Sequence, residues 1–525
     1  MAEEKVTAGT PPLLNNIVLN VGARGVLIIL SIAITPVLVH RLGTEQFGIY
    51  ALATVLGSGL TNVFALGLIP GIVAMLSRSL GRRDDAETQK VIGTSLTLFA
   101  FIGVVGAVIL ALAVPYLVHD LLRIPSALQS TAATALWISA VGLGLNVVFA
   151  VFNAIPFALQ RYDIIATRLV GLALLSMAAT VVYVLLYANL TGVMIIQVAA
   201  GVLGVLVYYA VSRRQLPNVR FRPGFDRPTF LKLARFTASK SVGDIALTFG
   251  SRFDQFAIGS LMSIGAVGFY AIPAGACQRI LQLLGEVAAP MFPRMSTAAS
   301  DEERVTLMIN GTRLVAVLSS FVAAVLITLP GPILRVWING AAGVAVAGQS
   351  SQAFRWLAAA MFLQAVAVVG NYYCESILRP FVNNSFIVLG ALVQVPAILL
   401  LVPRLGITGA ALGIFIASAV QTAPFLILLA IRVAHIPLRR LLIDSLAGPA
   451  ISGIAAGLVG LILQSRAGNF WTLAGVVAAI AVVFAAAAIF TGSIRQGDVE
   501  RAGRLLRIPP DRLKSPRLIT RWIRP

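Results

Sequence analysis

Charge is scarce in this chain. Asp, Glu, Lys and Arg make up 11% of its 525 residues, where a soluble protein carries about 25%. With 58% of residues hydrophobic and a mean hydropathy of +0.92, a soluble globular fold is excluded. Cysteine is almost missing too. Cys277 and Cys374 both fall in apolar stretches at a spacing that fits no metal motif, so they read as small buried apolar residues. The three histidines, His40, His119 and His435, lie far apart at the ends of apolar runs, so no metal cluster is expected. No Gly-x4-Gly-Lys-[Ser/Thr] loop is present, which argues against an ATP-driven pump within the chain. Short alternating strands, the mark of an outer-membrane barrel, are absent. The first residues, MAEEKVTAGTPPLLNN, lack the basic region and small-residue cleavage site of a signal peptide, so the first apolar block reads as a retained helix. Nothing suggests an enzyme or a bound cofactor.

Long apolar runs take the place of these features. Fourteen blocks are each long enough to cross ~30 Å of hydrocarbon as a helix, at roughly 15–40, 50–78, 90–116, 128–154, 165–188, 192–212, 236–262, 268–293, 305–329, 352–375, 385–403, 408–431, 443–464 and 470–491. Backbone groups in lipid must bond within their own segment, so the expected class is an all-α polytopic membrane protein. Net charge is +20 from 40 Lys and Arg against 20 Asp and Glu. That excess is better explained by topology than by nucleic acid, which is not an expected partner. With both termini in the cytoplasm, 29 basic residues fall on the cytoplasmic side, 5 on the opposite side and 6 within spans.

The spans divide into a six-helix lobe (1–212), a basic cytoplasmic linker (213–235), a second six-helix lobe (236–431), an appended helix pair (432–492) and a basic tail (493–525). The tail interleaves Arg and Lys with Leu, Ile and Trp, which suits either anionic inner-leaflet lipid or a docking partner.

The two lobes repeat at an offset of 220. Leu27 meets Leu247, Ser31 meets Ser251, Gly48-Ile49-Tyr50-Ala51 meets Gly268-Phe269-Tyr270-Ala271, Asn62 meets Gln282 and Pro70 meets Pro290. Six spans separate the copies, so the repeat is parallel, with its axis along the membrane normal. The Gly-x-Tyr-Ala match reads as the extracytoplasmic turn between the first and second helices of each lobe. The paired prolines read as bends late in the second.

Ionisable residues inside spans are the candidate functional groups, because each costs several kcal/mol in hydrocarbon, roughly 2.5–3.5 on insertion scales. At 100° per residue, Lys240, Asp244, Leu247, Ser251 and Asp254 share one face of the seventh helix, with Arg252 at its edge. Asn20, Arg24, Ser31 and Thr35 share a face of the first helix. Arg24 has no acid within its own helix, and Asp244, at the repeat-equivalent position, could pair with it. Arg279, Gln282 and Glu286 share a face of the eighth. Lys240 could snorkel from the cytoplasmic end. Arg313 and Arg355, placed near helix ends, are expected to snorkel to the surface.

Three stretches resemble the bacterial polysaccharide (O-antigen-type) flippases of the multidrug/oligosaccharidyl-lipid/polysaccharide exporter superfamily. They are HRLGTEQFGIYALA (His40 to Ala53), GLIPGIVAMLSRSLGR (Gly67 to Arg82) and SRFDQFAIGSLMSIGAVGFYAI (Ser251 to Ile272). The resemblance covers about residues 10–430, and the appended pair and long tail depart from the twelve helices common in that family. It implies a flippase in the bacterial cytoplasmic membrane that moves an undecaprenyl-pyrophosphate-linked oligosaccharide between leaflets for surface polysaccharide biosynthesis. Its partners would be that lipid-linked oligosaccharide, membrane lipids, and a polysaccharide polymerase or other assembly proteins. It also implies basic residues in a central cavity. Arg24, Arg252, Arg279 and Lys240, with Asn20 and Gln282, are the positions for substrate binding. Asp244, Asp254 and Glu286 are the positions for proton or sodium coupling. The alternative readings are a peptidoglycan-precursor lipid flippase, a cation-coupled small-molecule exporter of the same superfamily, and a non-transporting scaffold for polysaccharide assembly.

Overall fold

The computed structural model describes residues 13–59, 61, 68–159, 161–238 and 252–494. Every regular element among them is helical. Twelve helices are long and apolar enough to span a membrane, which makes the chain a multi-pass membrane protein. The other two expected spans, 50–78 and 236–262, include residues outside the described set.

The chain divides into two compact units, residues 1–272 with 398–410, and residues 273–397 with 411–525. The first unit contains α1 (Leu13–Thr54), α2 (Leu68–Gly81), α3 (Asp85–Tyr116), α4 (Ser126–Ala158), α5 (Tyr162–Tyr187), α6 (Leu190–Gln215), α7 (Arg227–Ala238) and α8 (252–261). The start of α9 (Ile264–Ala288) also belongs to it, and the division falls within α9 at Pro273.

Small residues set the helix spacing in this unit. A Cβ on Gly103 of α3 would lie 2.9 Å from the Gly144 oxygen of α4, so the two backbones pass almost in contact. In lipid, where apolar burial gives little net drive between helices, such close approach is a main source of packing energy.

The break in α1 sits at Gly43, whose φ of 77° favours glycine. The turn between the first two spans is therefore at Gly43. Gly48 to Ala51 are already helical, and Gly268 to Ala271 lie inside the opening turns of α9. The repeated Gly-x-Tyr-Ala motif is thus not a turn. A Cβ on Gly48 would press into the Ile264 oxygen and lie 3.0 Å from the Gly268 nitrogen. A Cβ on Gly268 would press into the Thr44 oxygen and lie 3.2 Å from the Gly48 nitrogen. Thr44 and Ile264 are themselves 220 apart, as are Glu45 and Gly265, which also meet. The motif glycines let the two copies of the repeat cross backbone to backbone, each copy mirroring the other.

Pro290 does not bend a continuous helix. It separates α9 from the short α10 (Met291–Ser296), because proline cannot donate the hydrogen bond that would carry the ladder on. The second unit continues with α11 (Asp301–Thr328), α12 (Pro330–Ile338), α13 (Gly340–Ser376), α14 (Pro380–Leu405) and α15 (Ile407–Leu428), the turn between the last two belonging to the first unit. Its core joins Met308, Val315, Val369, Cys374 and Phe425. The appended pair, α16 (Gly448–Leu463) and α17 (Phe470–Phe490), packs on α11. Phe321 meets Phe484 at 5.4 Å, and Gly453 and Gly460 lie against Ser320 and Thr328.

Two expectations about arginine fail here. Arg313 is 6% exposed, buried within the packing of α11, so it does not snorkel. Arg355 lies well inside α13, because that helix begins at Gly340 rather than near 352. Its Nη1 donates to Gln352 at 3.5 Å, and its Nε is buried without a partner among the described residues.

Candidate functional site

The charged stretch that opens the second half is represented in the described residues by α8. Asp254 sits in its first turn, 5% exposed. The Gln255 backbone N–H donates to its Oδ1 at 2.8 Å, and the Tyr270 hydroxyl donates to its Oδ2 at 2.6 Å. Both carboxylate oxygens therefore carry a donor, as a buried acid requires. Tyr270 is itself fully buried and belongs to the Gly-x-Tyr-Ala motif of α9. The repeat-equivalent of Asp254 is Ile34, so this polar pair exists in one copy of the repeat only.

Arg252 is half-buried, and its guanidinium reaches the end of the widened π-helical turn Val55–Gly59, with Nε 3.4 Å from where a Gly59 Cβ would be. The absence of a side chain at Gly59 makes room for it. Next to Asp254, the buried amide oxygen of Gln255 has no partner among the described residues, and neither does Thr61 Oγ1. Arg252 thus lies against the π-helical turn at Gly59, while Asp254 is tied to Tyr270 of α9.

In the second unit, α9 carries Arg279 and Glu286, both half-buried, and Gln282, which is exposed. Arg279 runs back along its own helix over Gly275, its Nη1 3.3 Å from where a Cβ there would lie. Lys240 and Asp244 lie outside the described residues, as do the side chains of Asn20 and Arg24, Asn62 and the tail from 495. No group of three or more His, Cys, Asp or Glu able to hold a metal ion occurs among the described residues.

Sequence reasoning missed two features. One is Tyr270 as the partner of Asp254. Its place in the repeat motif marked it, but the sixteen-residue separation hid the contact. The other is a cavity of about 300 Å³ in the first unit, between the end of α1, the π-helical turn, α4, α5 and α6. Thr54, Ser139, Asn146, Ser176 and Gln197 supply its polar atoms and Phe149 an aromatic wall. Asn146 Nδ2 donates to the Gly57 carbonyl at 3.4 Å. Widened π turns often mark functional sites, because they free backbone groups from the regular ladder. None of these residues is charged, so no cost of burial drew attention to them in the sequence.

The profile described as "Polysaccharide biosynthesis protein" matches residues 13–299, more than half of the chain. The chain belongs to the polysaccharide biosynthesis protein family. A Shigella flexneri relative described as an O-antigen transporter is 22% identical over 329 residues, covering 62% of this chain and 77% of that protein. Among solved structures, the lipid II flippase MurJ in an inward closed conformation matches with a TM-score of 0.70 at 12% identity, over 89% of this chain and 98% of that one. An inward-facing multidrug MATE transporter of the MOP superfamily matches at 0.63 and 15% identity, over 81% and 99%. At these identities the two structures speak for the fold. The family match ties this chain to polysaccharide biosynthesis, and transport is what the Shigella flexneri relative's description says of that protein.

Proposed function

We propose that this protein flips an undecaprenyl-pyrophosphate-linked oligosaccharide from the inner to the outer leaflet of the bacterial cytoplasmic membrane, with both of its termini in the cytoplasm. The observation that carries the proposal is the half-buried Arg252 beside the buried Asp254–Tyr270 pair, inside a predicted span of a chain from the polysaccharide family. A pyrophosphate and a sugar chain cannot cross hydrocarbon unaided. Arginine offers the planar, permanently charged donors that suit a phosphate. Arg24, Arg279 and Lys240, with Asn20 and Gln282, complete the set proposed to meet the head group, while the polyprenyl tail stays in lipid. The two halves alternate access to this site.

Asp254 is the proposed coupling residue, with Asp244 and Glu286. Asp254 is proposed to exchange a proton or a sodium ion as the halves move, with the Tyr270 hydroxyl and the Gln255 N–H holding its carboxylate in place. The test is complementation of a deletion strain with Arg24→Ala and Arg252→Ala variants expressed at the normal level. Loss of surface polysaccharide, with lipid-linked repeat units accumulating on the cytoplasmic face, is expected. Full surface polysaccharide from both variants would refute the mechanism and favour a scaffold.

A further inference from the structure

The segment joining the two halves of the repeat is a built piece of the first unit rather than a slack connector. The Gly224 N–H donates to the Gly93 carbonyl of α3 at 3.2 Å, Thr97 Oγ1 donates to the Gly224 carbonyl at 2.9 Å, and the Asp226 N–H donates to Thr94 Oγ1 at 3.1 Å. Gly93 lets the strap lie flat on α3, since a Cβ there would be 3.0 Å from the Arg222 oxygen. Asp226 then caps α7, accepting from the Thr229 N–H at 3.0 Å and the Thr229 hydroxyl at 2.7 Å. Phe221 is held between Phe152 and Tyr209, with the Arg213 guanidinium 6.0 Å from its ring centroid.

A segment fixed this firmly still leaves Phe225 62% exposed and Leu231 45% exposed, set among the exposed Arg220, Arg222, Arg227 and Lys232. Rigid apolar side chains ringed by cations, at the end of a membrane bundle, match one surface: the acyl boundary of an anionic leaflet.

We propose that the strap and α7 form a membrane-surface anchor that sinks Phe225 and Leu231 into the cytoplasmic leaflet and holds anionic phospholipid headgroups with Arg220, Arg222, Arg227 and Lys232. This inference rests on the cytoplasmic placement of that face proposed above. Reaction of a Gly224→Cys thiol with impermeant reagents in cells and in inverted vesicles checks that placement separately.

The same Gly224→Cys protein carries the main test. Its new side chain meets open space, and the native cysteines are buried. A spin label there is measured in nanodiscs of phosphatidylcholine with rising fractions of phosphatidylglycerol. The expected result is that accessibility to a water-soluble nickel chelate falls and accessibility to oxygen rises as phosphatidylglycerol increases. Changing Arg220, Arg222, Arg227 and Lys232 to Gln should lower the immersed-to-exposed ratio by roughly fivefold per charge removed, so that the label stays open to the chelate at phosphatidylglycerol fractions that immerse the native strap. A label that stays equally open to the chelate at every composition overturns the proposal. So does a label that responds to added inorganic pyrophosphate but not to phosphatidylglycerol, which would make the patch a substrate headgroup site. The nanodiscs hold this chain alone, so immersion needs no protein partner, and the depth reading does not depend on transport. The labelled chain with its basic residues intact carries the test even if the substituted one folds poorly.

Discussion

Replacing Gly268 by Ala tests the crossing of the two repeat copies directly. The added carbon would sit 2.9 Å from the Thr44 carbonyl carbon and press harder still on its oxygen, where ordinary contact begins at 3.4 Å. The obstacle is backbone, so no rotamer change relieves it, and the helices must part by half an ångström or more. Overpacking of this kind costs about 1–3 kcal/mol, and a backbone obstacle puts it at the upper end. Alanine returns about 1 kcal/mol of helix propensity, so a net loss of about 2 kcal/mol is expected. Gly48→Ala should cost a similar amount, since it meets the Ile264 oxygen in the mirrored geometry. Because either change opens the same crossing, the double variant should lose clearly less than the sum of the two. The assay is thermal unfolding of the purified protein in nanodiscs. Gly171→Ala is the control, because nothing lies within 4 Å of its added carbon. If Gly268→Ala unfolds at the temperature of that control, or if the two losses simply add, the crossing is not a shared contact.

Tyr270→Phe removes one donor from a buried carboxylate and should destabilise by about 1.5–3 kcal/mol. Unfolding in nanodiscs reads it, and an unchanged midpoint would mean the Asp254 carboxylate does not rely on this hydroxyl. The strap should resist trypsin at Arg220 and Arg222, and Asp226→Ala should expose those sites, as followed by mass spectrometry of the fragments. The Thr229 hydroxyl, its N–H and then the nearby Lys90 and Lys232 hold Asp226 below the usual carboxylate range. Its contribution to capping α7, and so to holding the end of the strap, is therefore full above an unfolded pKa of about 3.9 and is lost as pH falls through the lower folded value. Trypsin cannot follow that loss, so an acid-active protease is used below pH 4, by roughly the same reference value. Faster cleavage of the strap in acid is expected for the native chain, and no acid dependence for Asp226→Ala. Cys277 and Cys374 are both buried, so maleimide should label neither in the folded protein and both after denaturation. Rapid labelling of the folded chain would contradict the packing described for α9 and α13.

Much of the fold was legible because lipid enforces it. An apolar run of about twenty residues can satisfy its backbone only as a helix, whatever its neighbours. Twelve of the expected spans accordingly correspond to helices at the expected places. Boundaries failed where local composition does not report them. The early start of α13 at Gly340 lies in a stretch of Gly, Ala, Val and Ser with no strong polar signal, and it moved Arg355 from a helix end to an interior. Arg313 was misjudged because snorkelling or burial is decided by neighbouring helices, not by depth along its own.

For the candidate site, the sequence singled out Arg252 and Asp254 by the cost of charge in an apolar span. It did not pair Asp254 with Tyr270, and it passed over the uncharged cavity between α1, α4, α5 and α6. It also found Gly48 and Gly268 as equivalents and took them for turn residues. Length, hydropathy and the offset of 220 determine by themselves that the chain is a helical membrane protein with a repeat. Only the tertiary structure decided what the repeat motif does. A glycine chosen for a turn and one chosen for close approach look alike in sequence, and only the position of a second backbone separates them.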